Sequence, residues 1–407
     1  MIGSVGDRVD VPEALSHLPA PARALLDLTA PDPRVPPAAT DWRAVLAAAE
    51  HHRVVLPLAH GLGMTGLLDL PGDAAAAFRV MRDRATYITV AAVMDLLEIK
   101  AALDSAGCAW CVIKGLPLSV AMYGDVAGRD VGDIDIMVAE ADMVAAVRAL
   151  SATGFVSGPA GALVSSSRQV RRLLHAANDL AFHTPGRTKL ELHWRWSRNP
   201  WLPPLDVGRT LASGRTERVG SVDIPVPEPV EHFIYLCVHG LRHRWHRLKW
   251  LNDIRETLAW PDWIGADWHQ VVERAEALGA ARALAVSLVH AHWIDGVPLP
   301  GPVQAVMRRD PDCLRLATDL AEDLARQFSA GGDRPTDPGL RGVLREMRLG
   351  WRVSTDGRAR RHAVLSRPFL LPTENDLLML DLPRGLDWTW PAVRPALWAL
   401  RQARRQT

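Results

Sequence analysis

Two aspartates separated by one isoleucine, Asp133 and Asp135, have the residue types and spacing most suited to chemistry. They begin the segment Asp133–Val138 (DIDIMV), whose alternation predicts a β-strand. Residues i and i+2 of a strand point to the same face, with Cα atoms about 6.6–6.8 Å apart. Carboxylates held in this way repel each other unless a cation lies between them. We therefore expect a divalent metal here, and two Mg²⁺ ions about 3.5–4 Å apart would suit phosphoryl or nucleotidyl transfer.

A third carboxylate, Glu191, lies in a second alternating segment, Lys189–Trp194 (KLELHW). Lys189, Glu191 and His193 would share one face of this strand, with apolar side chains on the other face. Such a strand could bring Glu191 beside the aspartate pair. A D-x-D tripeptide alone is often a solvated strand end. The strand context, an upstream glycine-rich turn and the third carboxylate together favour a metal site.

The sequence around these residues predicts a small mixed α/β core. An apolar strand comes first, followed by a short helix, a loop with several glycines, the aspartate strand, an amphipathic helix and a hairpin. The corresponding segments are Cys108–Lys114, Leu116–Tyr123, Gly124–Gly132, Asp133–Val138, Asp142–Thr153, and Asn178–His183 paired with Thr188–Trp194 around Pro185-Gly186.

Helical periodicity dominates the sequence before and after this core. We therefore expect an α-rich α/β fold, in which a small mixed sheet is flanked by N- and C-terminal helical regions. The predicted parts are an N-terminal helical region (1–105), an α/β core (106–225) and a C-terminal helical domain (226–407).

The composition is that of a globular protein without a strong electrostatic bias. Hydrophobic residues make up 48% of the 407 residues and the net charge is +1. These values argue against a disordered chain and against a nucleic-acid binder that depends on bulk attraction. Four cysteines are too few for a disulfide framework, and no signal peptide is visible. No apolar run reaches the ~18 residues of a membrane span. Because the few cysteines indicate a reducing compartment, we expect a cytoplasmic protein.

Five pieces of the sequence, spread over roughly residues 40–260, match a known pattern in the same order. They are Ala49–Leu58, Val112–Gly115, Gly132–Val138 with Arg129 before it, Leu190–Trp194, and Leu236–Trp245 continuing to Leu248–Ile254. Together they resemble the uncharacterised nucleotidyltransferase family of the polymerase-beta-like superfamily. The sequence departs from the superfamily pattern after Gly115, where Leu116 replaces Ser or Gly, and Asp133 lies 18 positions beyond Gly115. This departure concerns triphosphate binding and leaves the three acidic residues in place.

The resemblance implies a nucleotidyltransferase-type sheet with a catalytic metal site on it. Asp133 and Asp135 would hold two Mg²⁺ ions, and Glu191 would complete the site and assist deprotonation of the acceptor hydroxyl. The donor would be a nucleoside triphosphate, for which ATP is the expected choice.

The resemblance also implies a set of nucleotide-binding residues. Gly115 would let the backbone approach the phosphates closely. Lys114, Arg129 and Lys249 would pair with the triphosphate, and His243 would line the nucleotide or acceptor pocket. The lysines are informative because only four of the 47 basic residues are lysines, and a compact ammonium group suits a phosphate at short range.

Two other patterns have alternative interpretations. His239, His243 and His246 have helical spacing and could bind zinc, but they lack the Glu of an H-E-x-x-H motif and a third partner. We favour a basic helix face that lines the nucleotide or acceptor pocket. Cys108 and Cys111 match C-x-x-C, but they lie in a predicted buried strand and are interpreted as packing residues.

The main hypothesis is a Mg²⁺-dependent nucleotidyltransferase, which moves NMP from an NTP to a hydroxyl or phosphate of an acceptor with release of pyrophosphate. The acceptor could be a small molecule, a sugar or a peptide, and nucleic acid is not expected. An alternative is a non-catalytic scaffold that binds nucleotide or a partner chain, motivated by Leu116 and by the large helical regions. A third hypothesis keeps the metal chemistry but transfers the γ-phosphate.

Overall fold

The structure is a computed structural model that describes residues 9–67, 70–156, 170, 173–174, 177–197, 206–260, 263, 265–330, 340–355, 357–358, 360–361, 376–377, 380, 382–383 and 385–405. It is rich in helices and contains a mixed four-stranded sheet and an antiparallel two-stranded sheet. The expected α-rich α/β class is confirmed. No helix in these ranges combines the length and the apolar character needed to cross a membrane.

Helices precede, separate and follow the strands along the described chain. The α-helices are α1 (Glu13–Ser16), α2 (Ala20–Leu28), α3 (Trp42–His52), α4 (Val55–Thr65), α5 (Gly72–Ser105), α6 (Leu116–Tyr123), α7 (Met143–Ala152), α8 (Val207–Leu211), α9 (Pro229–Arg242), α10 (Leu248–Ala259), α11 (Trp268–Ala277), α12 (Ala281–Asp295), α13 (Gly301–Arg309), α14 (Asp312–Ala330), α15 (Leu340–Val353) and α16 (Trp390–Arg405). The strands are β1 (Trp110–Val112), β2 (Asp133–Val138), β3 (Asp179–Phe182), β4 (Lys189–His193), β5 (Thr216–Val219) and β6 (Val222–Pro225).

The four-stranded sheet has the strand order β1-β2-β4-β3. β2 pairs antiparallel with β1 and parallel with β4, whereas β3 and β4 form an antiparallel hairpin. The hairpin predicted around Pro185-Gly186 is therefore confirmed, and Gly186 adopts a φ of +76° in its turn. The two central strands are parallel neighbours, and they are the strands for which the sequence predicts acidic residues.

One face of helix α5 belongs to the same hydrophobic core as the sheet. Its buried residues Leu96, Ile99 and Leu103 recur at intervals of three to four, which is the spacing of one helix face. Ile134 of β2 and Leu190 of β4 are buried in this core. Because strand side chains alternate, burial of these apolar residues turns their polar neighbours to the opposite face of the sheet.

The chain forms two compact units. The α/β unit contains the described parts of residues 79–235, 278–280 and 336–407, including both sheets. The helical unit contains the described parts of residues 1–78, 236–277 and 281–335. The domain boundaries that the sequence suggests after residues 105 and 225 stay a prediction.

The helical unit contains a buried arginine cluster centred on Arg255 of α10. Its guanidinium binds both oxygens of Asp295, with Nε 2.6 Å from Oδ2 and Nη2 2.7 Å from Oδ1. The remaining donors bind Asn252 Oδ1 at 2.7 Å, the Leu26 carbonyl at 2.9 Å and Thr29 Oγ1 at 3.5 Å. The guanidinium and the carboxylate thus satisfy each other and join α2, α10 and α12.

Candidate functional site

The candidate site lies where the parallel strands β2 and β4 run side by side. Asp135 is opposite Glu191 in the register of the two strands, and Asp133 is opposite Lys189. Since side chains alternate, Asp133 and Asp135 share one face of β2, and Lys189, Glu191 and His193 share one face of β4. Asp135 is fully buried, and Asp133 and Glu191 are half-buried.

Two cations and one imidazole contact the carboxylates of this site. Lys114 Nζ lies 3.0 Å from Asp135 Oδ1, and His193 Nε2 lies 3.1 Å from the same oxygen. His193 Nε2 also lies 3.6 Å from Glu191 Oε2. Lys189 Nζ donates to the other oxygen of Glu191, Oε1. The structure therefore brings together Lys114, Asp135 and Glu191 of the predicted set, and it adds Lys189 and His193.

Backbone pairing at the end of β1 places Lys114 beside Asp135. The Ile113 N–H donates to the Asp135 carbonyl at 3.1 Å, which extends the β1–β2 pairing one residue beyond Val112. The buried His232 donates from Nε2 to the Ile113 carbonyl at 2.7 Å. With both backbone groups of Ile113 engaged, the next residue leaves the strand next to the buried carboxylate.

The charges in the site shift the pKa values of its members strongly. Burial disfavours the charged form of Lys114, but the negative charge of Asp135, together with Tyr235, Asp133 and Glu191, outweighs it and raises the pKa of the ammonium. Burial also opposes the charge of His193, yet its hydrogen bonds with Asp135 and Glu191 raise its pKa to about 9. Burial would raise the pKa of Glu191, but His193 and Lys189 hold it well below its usual range. Lys189, Glu191 and His193 are thus charged at neutral pH.

One oxygen of the buried Asp135 carboxylate remains without a partner. Oδ2 is inaccessible to solvent and has no hydrogen-bond donor among the described residues, whereas Oδ1 has two neighbouring nitrogens. An unsatisfied buried polar atom costs roughly 1–3 kcal/mol, more when it is charged, so such an atom usually has a ligand or water in the working protein.

The ligand atoms of Asp135, Glu191 and His193 all lie within 4.8 Å of one another, which is close enough to hold a metal ion. Asp133 does not belong to this group, although it shares the face of β2. The residues around the orphaned oxygen therefore fit a divalent cation, and the group contains His193 rather than Asp133.

Gly115 adopts a backbone conformation that L side chains rarely reach. Its φ of +87° and ψ of −126° precede the first turn of α6, where no side chain caps the helix. A Cβ at this position would lie 3.7 Å from the Asp133 carbonyl oxygen, which is ordinary contact, so the backbone conformation and not the space requires glycine. The open N-terminal turn of α6 thus begins next to the start of β2.

Arg129 lies buried in the loop that connects α6 to β2. The loop is held by Ser119 Oγ, which donates to the Asp125 carbonyl at 2.7 Å, and by Asp125 Oδ1, which accepts from the Ala127 N–H at 2.9 Å. Gly128 is required here because a Cβ would lie 2.3 Å from the Tyr123 Cβ.

Lys249 and His243 belong to the helical unit, whereas the carboxylates belong to the α/β unit. Lys249 is buried in the first turn of α10. His243 stacks on Trp250 with ring centroids 4.4 Å apart, and it follows the last residue of α9. The nucleotide-binding roles predicted for these two residues stay predictions.

The predicted helical histidine face is wrong in its geometry. Helix α9 ends at Arg242, and Arg244 and Trp245 have positive φ values of 56° and 51°. Trp245 folds back on Gly240, where a Cβ would lie 2.0 Å from the indole ring. Among the described residues, His239, His243 and His246 do not form a group that could share one ion, so the zinc alternative has no support.

The C-x-x-C pattern is confirmed as a packing feature. Cys108 and Cys111 are both buried, and Cys111 lies within β1. Burial raises the pKa of the Cys111 thiol to about 12, which suppresses the reactive thiolate.

His193 is the site residue that sequence reasoning left without a role. Its position on the polar face of β4 was evident from the alternation, because it lies two residues after Glu191. Its contact with Asp135 depends on the parallel pairing of β2 with β4, which a single sequence does not specify.

The family model described as "Uncharacterised nucleotidyltransferase" matches residues 38–295, which is more than half of the chain. The match includes every strand of the four-stranded sheet and all the residues of the candidate site. No curated protein and no solved structure matches the sequence. The chain therefore belongs to the uncharacterised nucleotidyltransferase family.

Proposed function

We propose that this protein transfers a nucleoside monophosphate from an NTP to a hydroxyl or phosphate group of an acceptor. The acceptor oxygen forms a bond to the α-phosphorus while the bond to the bridging oxygen breaks, and pyrophosphate leaves. The acceptor would be a small molecule, a sugar or a peptide. The sequence leads us to expect ATP as the donor and Mg²⁺ as the metal. The observation that carries the proposal is the buried Asp135 carboxylate beside Glu191, with one oxygen unpartnered.

The donor set fits the divalent cation that this chemistry implies. Asp135 and Glu191 would hold it, and Asp133 lies on the same face of β2. When bound, such a cation supplies positive charge to the transferring phosphate and lowers the pKa of the acceptor hydroxyl.

Lys114 and Lys189 orient the two carboxylates. Each ammonium engages one oxygen, Lys114 on Asp135 Oδ1 and Lys189 on Glu191 Oε1. We therefore assign Lys114 to Asp135 and not to the triphosphate. Because its pKa is low, Glu191 stays ionised over a wide pH range but is a weak general base. We therefore assign it to ion binding and not to deprotonation of the acceptor hydroxyl.

Gly115 and the N-terminal turn of α6 are the proposed phosphate contacts of the α/β unit. Backbone N–H groups at a helix N-terminus attract anions. This turn begins beside β2, since a Cβ added to Gly115 would lie 3.7 Å from the Asp133 carbonyl oxygen. The assignment of Arg129, Lys249 and His243 to nucleotide binding rests on the sequence resemblance.

The test is the thermal stability of the full chain with each of the four common NTPs, in the presence and absence of divalent cation. Nucleotide should stabilise wild type only when the cation is also present, since a ligand that binds the folded state raises the melting temperature. Asp135→Asn should lose that shift and at least about 10³-fold in pyrophosphate release, because it removes a charge at the reacting phosphate.

The matched control is Asp223→Asn, which makes the same change at an exposed carboxylate that pairs with Arg218 at 2.8 Å. It should leave both readouts unchanged. Retention of the cation-dependent shift by a folded Asp135→Asn protein would contradict the proposal.

A non-catalytic nucleotide-binding scaffold is the second candidate. It is favoured by the internal cations, since Lys114, Lys189 and His193 already balance carboxylate charge without a metal. Stoichiometric NTP binding without pyrophosphate release from any acceptor would select it. Release of NDP with a phosphorylated acceptor would instead select γ-phosphate transfer.

A further inference from the structure

The two carboxylates of the site are occupied in the same asymmetric way. Lys114 takes Asp135 Oδ1, and Lys189 takes Glu191 Oε1. Asp135 Oδ2 has no partner among the described residues, and Glu191 Oε2 lies 3.6 Å from His193 Nε2. Each carboxylate therefore binds a lysine through one oxygen. Its second oxygen, Oδ2 of Asp135 or Oε2 of Glu191, is the one that an ion would bind.

His193 presents its Nε2 atom between these carboxylates. The ring is buried, and Nε2 lies 3.1 Å from Asp135 Oδ1 and 3.6 Å from Glu191 Oε2. Two atoms that bind one ion at about 2.1 Å in neighbouring positions are about 3 Å apart. The ligand atoms of the three residues all lie within 4.8 Å of one another, so the nitrogen is close enough to share one ion with the two carboxylates.

An acidic residue lies directly across from His193. Asp179 of β3 is its cross-strand partner, and the charge of Asp179 contributes to the raised pKa of the imidazole. Carboxylates behind metal-binding histidines commonly orient the ring and increase its basicity as a ligand. Asp179 on the neighbouring strand is therefore the residue placed to influence the imidazole in this way.

We propose that Asp135, Glu191 and His193, whose imidazole releases its proton to solvent when the ion binds, form a mixed nitrogen–oxygen site that selects a transition-metal ion, such as Mn²⁺ or Zn²⁺, over Mg²⁺. An imidazole nitrogen suits first-row transition metals, whereas Mg²⁺ prefers an all-oxygen octahedron and dehydrates reluctantly. This inference rests on the proposed function in one respect, namely that Asp135 and Glu191 bind a divalent ion. It replaces the Mg²⁺ expected from the sequence with a transition metal.

The probe is Mn²⁺ added to the full-length protein, followed by electron paramagnetic resonance. Dissociation constants for Mn²⁺ come from the free-ion signal, and those for Mg²⁺ come from competition. Spin-echo modulation reports a directly bound nitrogen. We expect Mn²⁺ to bind at least about tenfold more tightly than Mg²⁺, with nitrogen modulation present. His193→Gln should remove the modulation and most of the preference, because an amide can hydrogen-bond to Asp135 but lacks the imidazole nitrogen.

His183→Gln is the matched control, since His183 is exposed and lies just beyond β3 in the same hairpin. It should behave as wild type. Bound Mn²⁺ without nitrogen modulation in wild type would overturn the inference even if the His193 variant did not fold. An unchanged preference in a folded His193→Gln protein, or no binding of Mn²⁺ by wild type, would do the same. If Mn²⁺ binds through nitrogen but the protein binds no NTP, the metal site is supported and the proposed nucleotidyl transfer is contradicted.

Discussion

Each compact unit buries a charged cluster, and the two clusters differ in one respect. In the helical unit, Arg255 and Asp295 satisfy each other, because both carboxylate oxygens accept from the guanidinium. In the α/β unit, one oxygen of the Asp135 carboxylate has no partner in the described part of the chain, although two nitrogens approach the other oxygen. The comparison separates a charge that holds helices together from a charge arranged for a ligand. Burial alone does not make that distinction, whereas the count of partners does.

The largest expected change in stability comes from breaking the closed cluster. Arg255→Met should lower the free energy of unfolding by about 3 kcal/mol, because it leaves the half-buried Asp295 carboxylate without its guanidinium partner. Urea unfolding measures the loss. The double variant Arg255→Met/Asp295→Leu should recover much of it, since no unpaired charge remains. A loss of less than 1 kcal/mol in the single variant would show that the pair does not hold the helices.

Breaking the open cluster should give a loss that a metal can reverse. Lys114→Met should lower the free energy of unfolding by about 3 kcal/mol without metal, because it removes the ammonium that pairs with the buried Asp135 carboxylate. Mn²⁺ should restore most of the loss by supplying positive charge. Urea unfolding in chelator and in Mn²⁺ measures both effects.

The control is Lys100→Met, which breaks a Lys–Asp pair of 2.7 Å between Lys100 and Asp104 on α5. That pair is partly exposed, so its loss should cost about 0.5 kcal/mol or less and should not respond to metal. Equal metal dependence in the two variants would remove the distinction between the clusters.

A smaller effect should appear in acid, where the helical unit buries a histidine that has no charged partner among the described residues. Burial lowers the pKa of His290 to about 4 from its ordinary 6.5, and its Nδ1–H donates to the Val286 carbonyl at 2.8 Å. Below pH 6.5 the unfolded chain binds a proton that the folded chain does not, so stability falls as the pH drops from 6.5 to about 4.

His290→Gln should therefore reduce the stability difference between pH 7 and pH 4.5 by about 2–3 kcal/mol. Denaturant unfolding at the two pH values measures this difference. His269→Gln is the control, because His269 is exposed at the start of α11. If His290→Gln and wild type lose equal stability in acid, the buried neutral histidine is not the cause.

Local patterns predicted the strands and the face that carries the acidic residues. The alternation of Asp133–Val138 and Lys189–Trp194 gave both strands, because a half-buried strand must alternate. The helix-rich class followed from the helical periodicity that surrounds them. These features depend on near neighbours in the chain, which is why one sequence was enough.

Features that depend on distant residues were not predicted. The contact of His193 with Asp135 requires the parallel pairing of β2 with β4, and the pairing of Lys114 with Asp135 requires the extension of β1 to Ile113. The early end of α9 depends on Trp245 packing over Gly240, so helical spacing of the histidines was misleading. In each case a tertiary contact overrode the local pattern.

The parallel pairing of β2 with β4 also governs when the site can form. About fifty residues, including α7 and β3, separate the two strands along the chain, so their ends meet only after a long segment has been closed. Pairings of this range form slowly compared with local helices and hairpins. During synthesis, Asp135 leaves the ribosome well before Glu191 and His193. The proposed ion site therefore stays incomplete in the nascent chain until β4 inserts beside β2, and metal binding would report the completion of the sheet.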